Sequence, residues 1–298
     1  MECRSPSWLI EIKKVAVIIA IALVLASCSS TKLAYRYADW GIVWWVDDYI
    51  PMTDEQENQL ELDLLSLRDW HCRTELPRYS GWLAELKQDV RSGNLQKARV
   101  SYHQEQLLSF FPPLADQAKP AAKRLLFSLS DEQVRELADN MAGSQAELEK
   151  VFLAENPEQT RQARTERTKE RIERWLGTLN ETQTRILEQW SFNRGRQTEI
   201  WLEGRRTWQR KLLEAIEQRK EAGFDSAIDY LIDNNDELRG SEYQQMMAES
   251  QASTTDLMTD LLEEADQQQL DLLLDRAAAL RDDFNTLTCT VENVSGTK

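Results

Sequence analysis

Histidine is the scarcest chemical resource in this chain: His71 and His103 are the only two in 298 residues. No His-Glu-x-x-His run and no Glu-x-x-His pair exists, so zinc-protease and di-iron bundle chemistry lack their usual signatures. His71 with Glu75 one turn later has metal-pair spacing, but a structural, hydrogen-bonded histidine at a helix end before Pro77 is the favoured reading. Glycine (10) and proline (7) are also scarce. Neither a glycine-rich phosphate loop nor a Gly-x-Ser-x-Gly elbow occurs. Positive charge is in deficit, with a net charge of −15, which argues against nucleic acid or an anionic membrane surface as the main partner. Acidic pairs abound, yet among 51 acids their spacing says nothing about glycoside hydrolysis. The expectation is a protein that is not an enzyme and has no cofactor and no metal.

What the chain does contain is helix formers. Leu, Glu, Gln, Arg and Ala dominate, and no segment alternates long enough for a convincing strand. The expected fold is all-α, a multi-helix bundle with long antiparallel helices. Four segments read as capping boxes, in which an N-cap side chain takes an orphan N–H and a Gln three positions on reaches back. They are Thr53 to Gln56, Ser130 to Gln133, Asn180 to Gln183 and Asp266 to Gln269. Their spacing is too irregular for a solenoid, so they read as helix starts rather than duplication. Prolines at 51, 77, 112–113, 120 and 157 mark breaks or first turns. The expected helices are 33–49, 54–75, 78–91, 95–109, 114–127, 131–154, 158–178, 181–220, 224–234, 239–263 and 267–287.

The first 27 residues carry the three parts of an export signal: basic Arg4, Lys13 and Lys14, an apolar run over 15–25, then small residues. That run is shorter than the roughly 20 residues a bilayer span needs. Leu25-Ala26-Ser27-Cys28 reads as a lipobox, making Cys28 the acylated N-terminus, and Ser29 favours the outer membrane, facing the periplasm. The expected organisation is a lipoprotein signal peptide at 1–27, a lipid-anchored tether at 28–32, a helical domain at 33–287 with a possible subdivision near 155–160, and a flexible tail at 288–298. Cys72 and Cys289 then remain as a possible disulfide, since thiols often pair in an oxidising compartment. Their distance is open at this level.

Two surfaces stand out. Leu33, Tyr37, Trp40 and Trp44 share one helical stripe. A first helix docked on the core is the favoured placement, with the membrane headgroup level and a partner patch as alternatives, while Asp39, Asp47 and Asp48 disfavour deep insertion. Arg161, Arg164, Arg167, Arg171 and Arg174 share another face, read mainly as a solvated, salt-bridged helix because Glu166, Glu170 and Glu173 interleave with them. Phosphate or carboxylate recognition is the alternative. Trp175, Trp190, Trp201 and Trp208 read as core anchors. Residues 161–220 carry 15 basic against 9 acidic residues, and 221–298 carry 4 against 18, which suggests that the two segments pack together.

At Leu33-Ala34-Tyr35, Ala38-Asp39-Trp40, Trp44-Trp45-Val46-Asp47, Trp70-His71, Glu75 to Tyr79, the stretch from Arg161 to Gly177 and Asp282-Asp283-Phe284, the chain resembles an uncharacterised family of proteobacterial lipoproteins. The resemblance implies an outer-membrane lipoprotein with an all-helical domain of unknown function. The Gln-terminated capping boxes are also loosely similar to small periplasmic chaperones with Leu-Thr-x-x-Gln repeats. The leading expectation is therefore a lipid-anchored, periplasm-facing interaction or scaffold module with an envelope protein partner and no nucleic acid. A chaperone for unfolded clients comes second. An envelope-polymer enzyme centred on His71, Glu75 or the arginine stripe comes third.

Overall fold

Every regular element of the computed structural model, which describes residues 30–154 and 156–289, is a helix. The expected signal peptide, the lipobox with Cys28 and the tail beyond residue 289 lie outside the described residues. In chain order the helices are α1 (Ser30–Arg36), α2 (Ala38–Asp47), α3 (Asp54–Ser92), α4 (Lys97–Leu108), α5 (Phe111–Ser128), α6 (Asp131–Phe152) and α7 (Pro157–Leu176). They continue with α8 (Glu181–Asn193), α9 (Gln197–Glu217), α10 (Phe224–Asp233), α11 (Asn235–Leu238), α12 (Ser241–Glu263) and α13 (Gln267–Leu287). The protein is an all-α multi-helix bundle.

Helix α3 is the spine. At 39 residues it runs about 58 Å at 1.5 Å per residue. The break expected at Pro77 does not occur: the proline sits inside a continuous helix. A mid-helix proline forfeits one hydrogen bond and crowds the preceding turn, but here tertiary packing overrides that penalty. Leu76 and Leu83 are fully buried beside it. Antiparallel α13 grips both flanks, with Ser80 donating to Asn285 at 2.6 Å and Cys72 bonded to Cys289, Cα atoms 5.2 Å apart. The Cys289 N–H also donates to the Cys72 carbonyl at 3.2 Å.

The single helix expected over 181–220 is two helices. Gly195 takes a left-handed φ of 48° between α8 and α9, a conformation glycine adopts without a Cβ penalty. Gly204, on α9, serves close approach instead: a Cβ there would lie 2.5 Å from the ring of buried Tyr243 on α12.

All four expected capping boxes form, each with both reciprocal bonds. They also pair two by two. Gln56 and Gln133 exchange side-chain amide hydrogen bonds at 3.2 and 2.7 Å, and Gln183 and Gln269 do so at 2.9 Å in both directions. In each pair one amide also donates to the backbone two residues ahead of the partner's cap, from Gln133 to Pro51 and from Gln269 to Thr178. Each helix start thus anchors another far along the chain, and the buried amides find the partners that desolvation demands.

Apolar clusters sit around these joints. Ile50, Leu129, Val134, Leu137, Met141 and Ile216 join the α2–α3 turn to α6 and α9. Ile172, Leu176, Leu187, Leu257 and Leu261 join α7, α8 and α12. The basic and acidic segments do meet there, but through apolar contacts and hydrogen bonds such as the Gln183–Gln269 pair; their one ion pair among the described residues, Arg196 with Glu242, is 3.7 Å long on the surface. Helix α13 packs on both α3 and α7 and so bridges the chain across residues 153–156.

Candidate functional site

Helices α1 and α2 form nearly one rod, since the Tyr37 N–H still bonds to Leu33 and the Gly41 N–H to Tyr37. The rod has two apolar sides. Val43 is buried against Leu60 and Leu64 of α3, with Val46 beside it. Half a turn away lies the stripe of Leu33, Tyr37, Trp40 and Trp44. The first helices dock on the core as expected, but by another face, and the stripe itself is outside: Trp40 is 68% exposed and Trp44 60%, and Leu33, Tyr37 and neighbouring Trp45 are exposed to a similar degree. The reason is geometric. One face of a helix meets α3, and the residues at stripe spacing fall on the other.

Two of the three acidic residues beside the stripe are engaged, and Asp48 is exposed with no side-chain partner among the described residues. Asp39 pairs with Arg68 of α3 at 2.7 Å, on the docked side. Asp47 accepts the Met52 N–H at 3.0 Å and so caps the turn into α3. Lys32 ties α1 to Asp283 of α13 at 3.2 Å. The outward face therefore keeps its aromatic character, with Asp39 neutralised by Arg68 and Asp47 and Asp48 still exposed at its C-terminal end.

Behind the rod lies a small, mainly apolar cavity of about 170 Å³, lined by Tyr35, Ala38, Ile42, Leu64, Leu67 and Leu114 and reaching His71. His71 sits in mid-helix between two phenols: Tyr35 Oη is 3.1 Å from Nδ1 and Tyr79 Oη 3.3 Å from Nε2. A neutral imidazole offers one donor and one acceptor, which suits two hydroxyls. Burial pushes the His71 pKa below its ordinary value, against the pull of Glu75. Burial also pushes the Tyr35 phenol up to about 12 and raises Tyr79. His71 is accordingly the hydrogen-bonded structural histidine expected, but in mid-helix rather than at a helix end before Pro77. Glu75 is buried and bonded to Arg78 at 2.6 Å rather than turned to a metal with His71. Among the described residues no three His, Cys, Asp or Glu side chains form a metal-binding group.

The arginine stripe divides. Arg164 is buried, with its guanidinium donating to the Ser191 carbonyl at 2.9 Å, to Ser191 Oγ at 3.2 Å and to Thr198 Oγ1 at 3.3 Å. Desolvation lowers its pKa. Arg161 stacks over Phe192 and Arg167 over Phe152. Arg171 and Arg174 stay in solvent. The solvated, salt-bridged reading fails for Arg164 and Arg167, while Arg161 keeps an i,i+3 ion pair with Glu158 as it stacks; this edge of α7 cements α6, α8 and α9. Trp208 anchors α10 by donating from Nε1 to the Leu231 carbonyl at 3.1 Å. Trp175, expected in the core, is 39% exposed.

Sequence reasoning missed the Arg68–Asp39 pair, the Tyr35–His71–Tyr79 chain and the amide pairing of the capping boxes. None has a short-range signature, as each joins residues at least 29 positions apart except His71–Tyr79.

No curated protein and no solved structure matches the chain. A family described only as a family of unknown function, DUF6279, matches residues 48–244. That span takes in three of the four capping-box helix starts, His71 with Tyr79 and the arginine edge of α7, while the aromatic rod with Tyr35 and α13 with its Asp266–Gln269 box flank it. The chain belongs to this family of unknown function.

Proposed function

We propose that the chain is a lipid-anchored, non-enzymatic helical lipoprotein of the periplasmic side of the outer membrane, seated by its first helices and presenting its bundle to another envelope protein. One observation carries the reading: a stripe of Leu33, Tyr37, Trp40 and Trp44 is left in solvent on a rod that begins two residues after Cys28. Tryptophan and tyrosine favour the headgroup level, where an apolar ring meets lipid and a polar tip meets water. From Leu33 to Trp44 the stripe spans about 16 Å, within reach of the bilayer surface if Cys28 is acylated. The acyl chains of a lipoprotein cysteine are sufficient for stable attachment by themselves, and the stripe would set how the bundle is oriented at the surface. The engagement of Asp39 by Arg68 removes part of the electrostatic objection to such a seat.

Fractionation tests the anchor. The wild-type chain is expected in the outer-membrane pellet, carrying acyl groups on Cys28, and Cys28→Ala is expected in the soluble periplasmic fraction. Tight membrane attachment of Cys28→Ala would reject the lipidation reading.

A further inference from the structure

The C-terminal half of α3 carries charge of opposite sign on two faces. On one, Glu85 and Asp89 turn toward α4 and are saturated. Arg99 reaches both, with its Nε 2.5 Å from Asp89, while Tyr102 donates to Glu85 at 2.9 Å and His103 Nε2 lies 2.9 Å from Asp89. On the other, Lys87 and Arg91 line an open groove of about 460 Å³ together with Gln88, Ser92 and Arg281 of α13. No acidic side chain lines this groove. Among the described residues, Lys87, Arg91 and Arg281 have no ion-pair partner. Arg281 Nε is buried without a hydrogen bond.

This arrangement is costly without a counter-ion. Like charges at i, i+4 on a helix repel, and Lys87 and Arg91 have that spacing. Lys87 and Arg281 are also half-buried, so they have lost part of their hydration without gaining a partner. The setting sharpens the point: in a chain with 51 acidic and 36 basic side chains, a groove lined by three cations and no acid is not a product of composition. Two guanidinium forks and one ammonium, delivered from two antiparallel helices, can donate to an oxyanion from several directions. A tetrahedral phosphoryl group accepts in that way, whereas a planar carboxylate is satisfied by one fork.

We propose that the groove between α3 and α13 is a phosphoryl-binding site, with Lys87, Arg91 and Arg281 as its ligand-holding residues. The phosphoryl group is either a lipid headgroup or a free anion, and the probes below separate the two. This site is independent of the anchor and of the aromatic seat.

The test uses the full-length chain in a non-ionic detergent, titrated calorimetrically with inorganic phosphate and, separately, with micelles doped with phosphatidic acid. Saturable binding is expected, and Arg281→Gln or the double variant Lys87→Gln/Arg91→Gln should weaken it about tenfold or more, the equivalent of one charge-assisted hydrogen bond. Arg135→Gln, which neutralises an exposed arginine paired with Glu132, should bind as the wild type does. Thermal melts of the double variant should show no loss of stability, because it relieves a like-charge contact. Binding of inorganic phosphate identifies a free anion as a sufficient ligand, and binding confined to phosphatidic acid identifies the headgroup. Absence of saturable binding to both probes, or equal binding by the glutamine variants, overturns the proposal.

Discussion

The first and last helices of this bundle pack on the same spine and use their apolar residues in opposite ways. In α13 every leucine is buried or half-buried, the N-terminus is fixed by the Asp266–Gln269 box and the C-terminus by the Cys72–Cys289 bond. In α1–α2 the docked face needs only Val43, Val46 and Tyr35, and the largest side chains of the segment point away from the protein. One helix spends its hydrophobicity on the fold. The other carries a surplus that the fold does not use. Covering apolar area stabilises by roughly 25 cal/mol per Å², and this exposed surplus is what the proposed membrane seat would cover.

The comparison breaks first at the disulfide. Reducing it frees the end of α13 across a sequence separation of 217, and chain-entropy reasoning gives a loss of up to about 5 kcal/mol. Thermal melts with and without reductant measure this; an unchanged midpoint with both thiols alkylatable would remove the clamp from the account. Next comes the other end of α13. Gln269→Ala removes both amide bonds to buried Gln183, which keeps only the Leu261 carbonyl and the Asn180 N–H, and takes away the donor to the Thr178 carbonyl, a cost of about 2 kcal/mol. Because the two glutamines satisfy each other, adding Gln183→Ala should cost less than it does alone in a double-mutant cycle; simple additivity would refute the pairing.

A smaller effect belongs to the joint behind α1. Burial holds the His71 pKa below its ordinary value, so the unfolded chain takes up this proton first as pH falls. The contribution of the neutral imidazole is complete above about pH 6.5 and is lost as pH drops below it. Tyr35, pushed up to about 12, works in the other direction: its contribution is complete below its usual 10.0 and is lost as pH rises toward 12. Urea melts of His71→Gln should be flatter between pH 7 and 5 than those of the wild type, and an identical slope would exclude His71 as a source. The smallest effect is expected at the stripe. Trp40→Ser and Trp44→Ser should change stability by within about 0.5 kcal/mol, the range of exposed surface substitutions. A loss of several kcal/mol would mean that these rings are part of the core after all.

What was legible in the sequence follows the range of the interactions. Helical class and the four helix starts are written within one or two turns, and the structure reproduces them. Pro77 misled because its local penalty is opposed by contacts with a helix some 200 positions away. Gly195 was the missed local signal, a lone glycine among polar residues that ends α8. The fate of the aromatic stripe and of Arg164 was not legible. A tryptophan or arginine at helical spacing reads alike whether it meets a neighbouring helix or water, and only the position of α3 or of Ser191 decides between them.

The central claim is that the aromatic face of α1–α2 is covered by the membrane. The direct measurement is site-specific photo-crosslinking of the full-length protein in its native membranes, from positions 40 and 44 and from position 192, where an equally exposed phenylalanine lies on α8. Phospholipid adducts from positions 40 and 44, with none from 192, are the predicted result. Absence of lipid adducts at the stripe, or equal labelling from position 192, would contradict it.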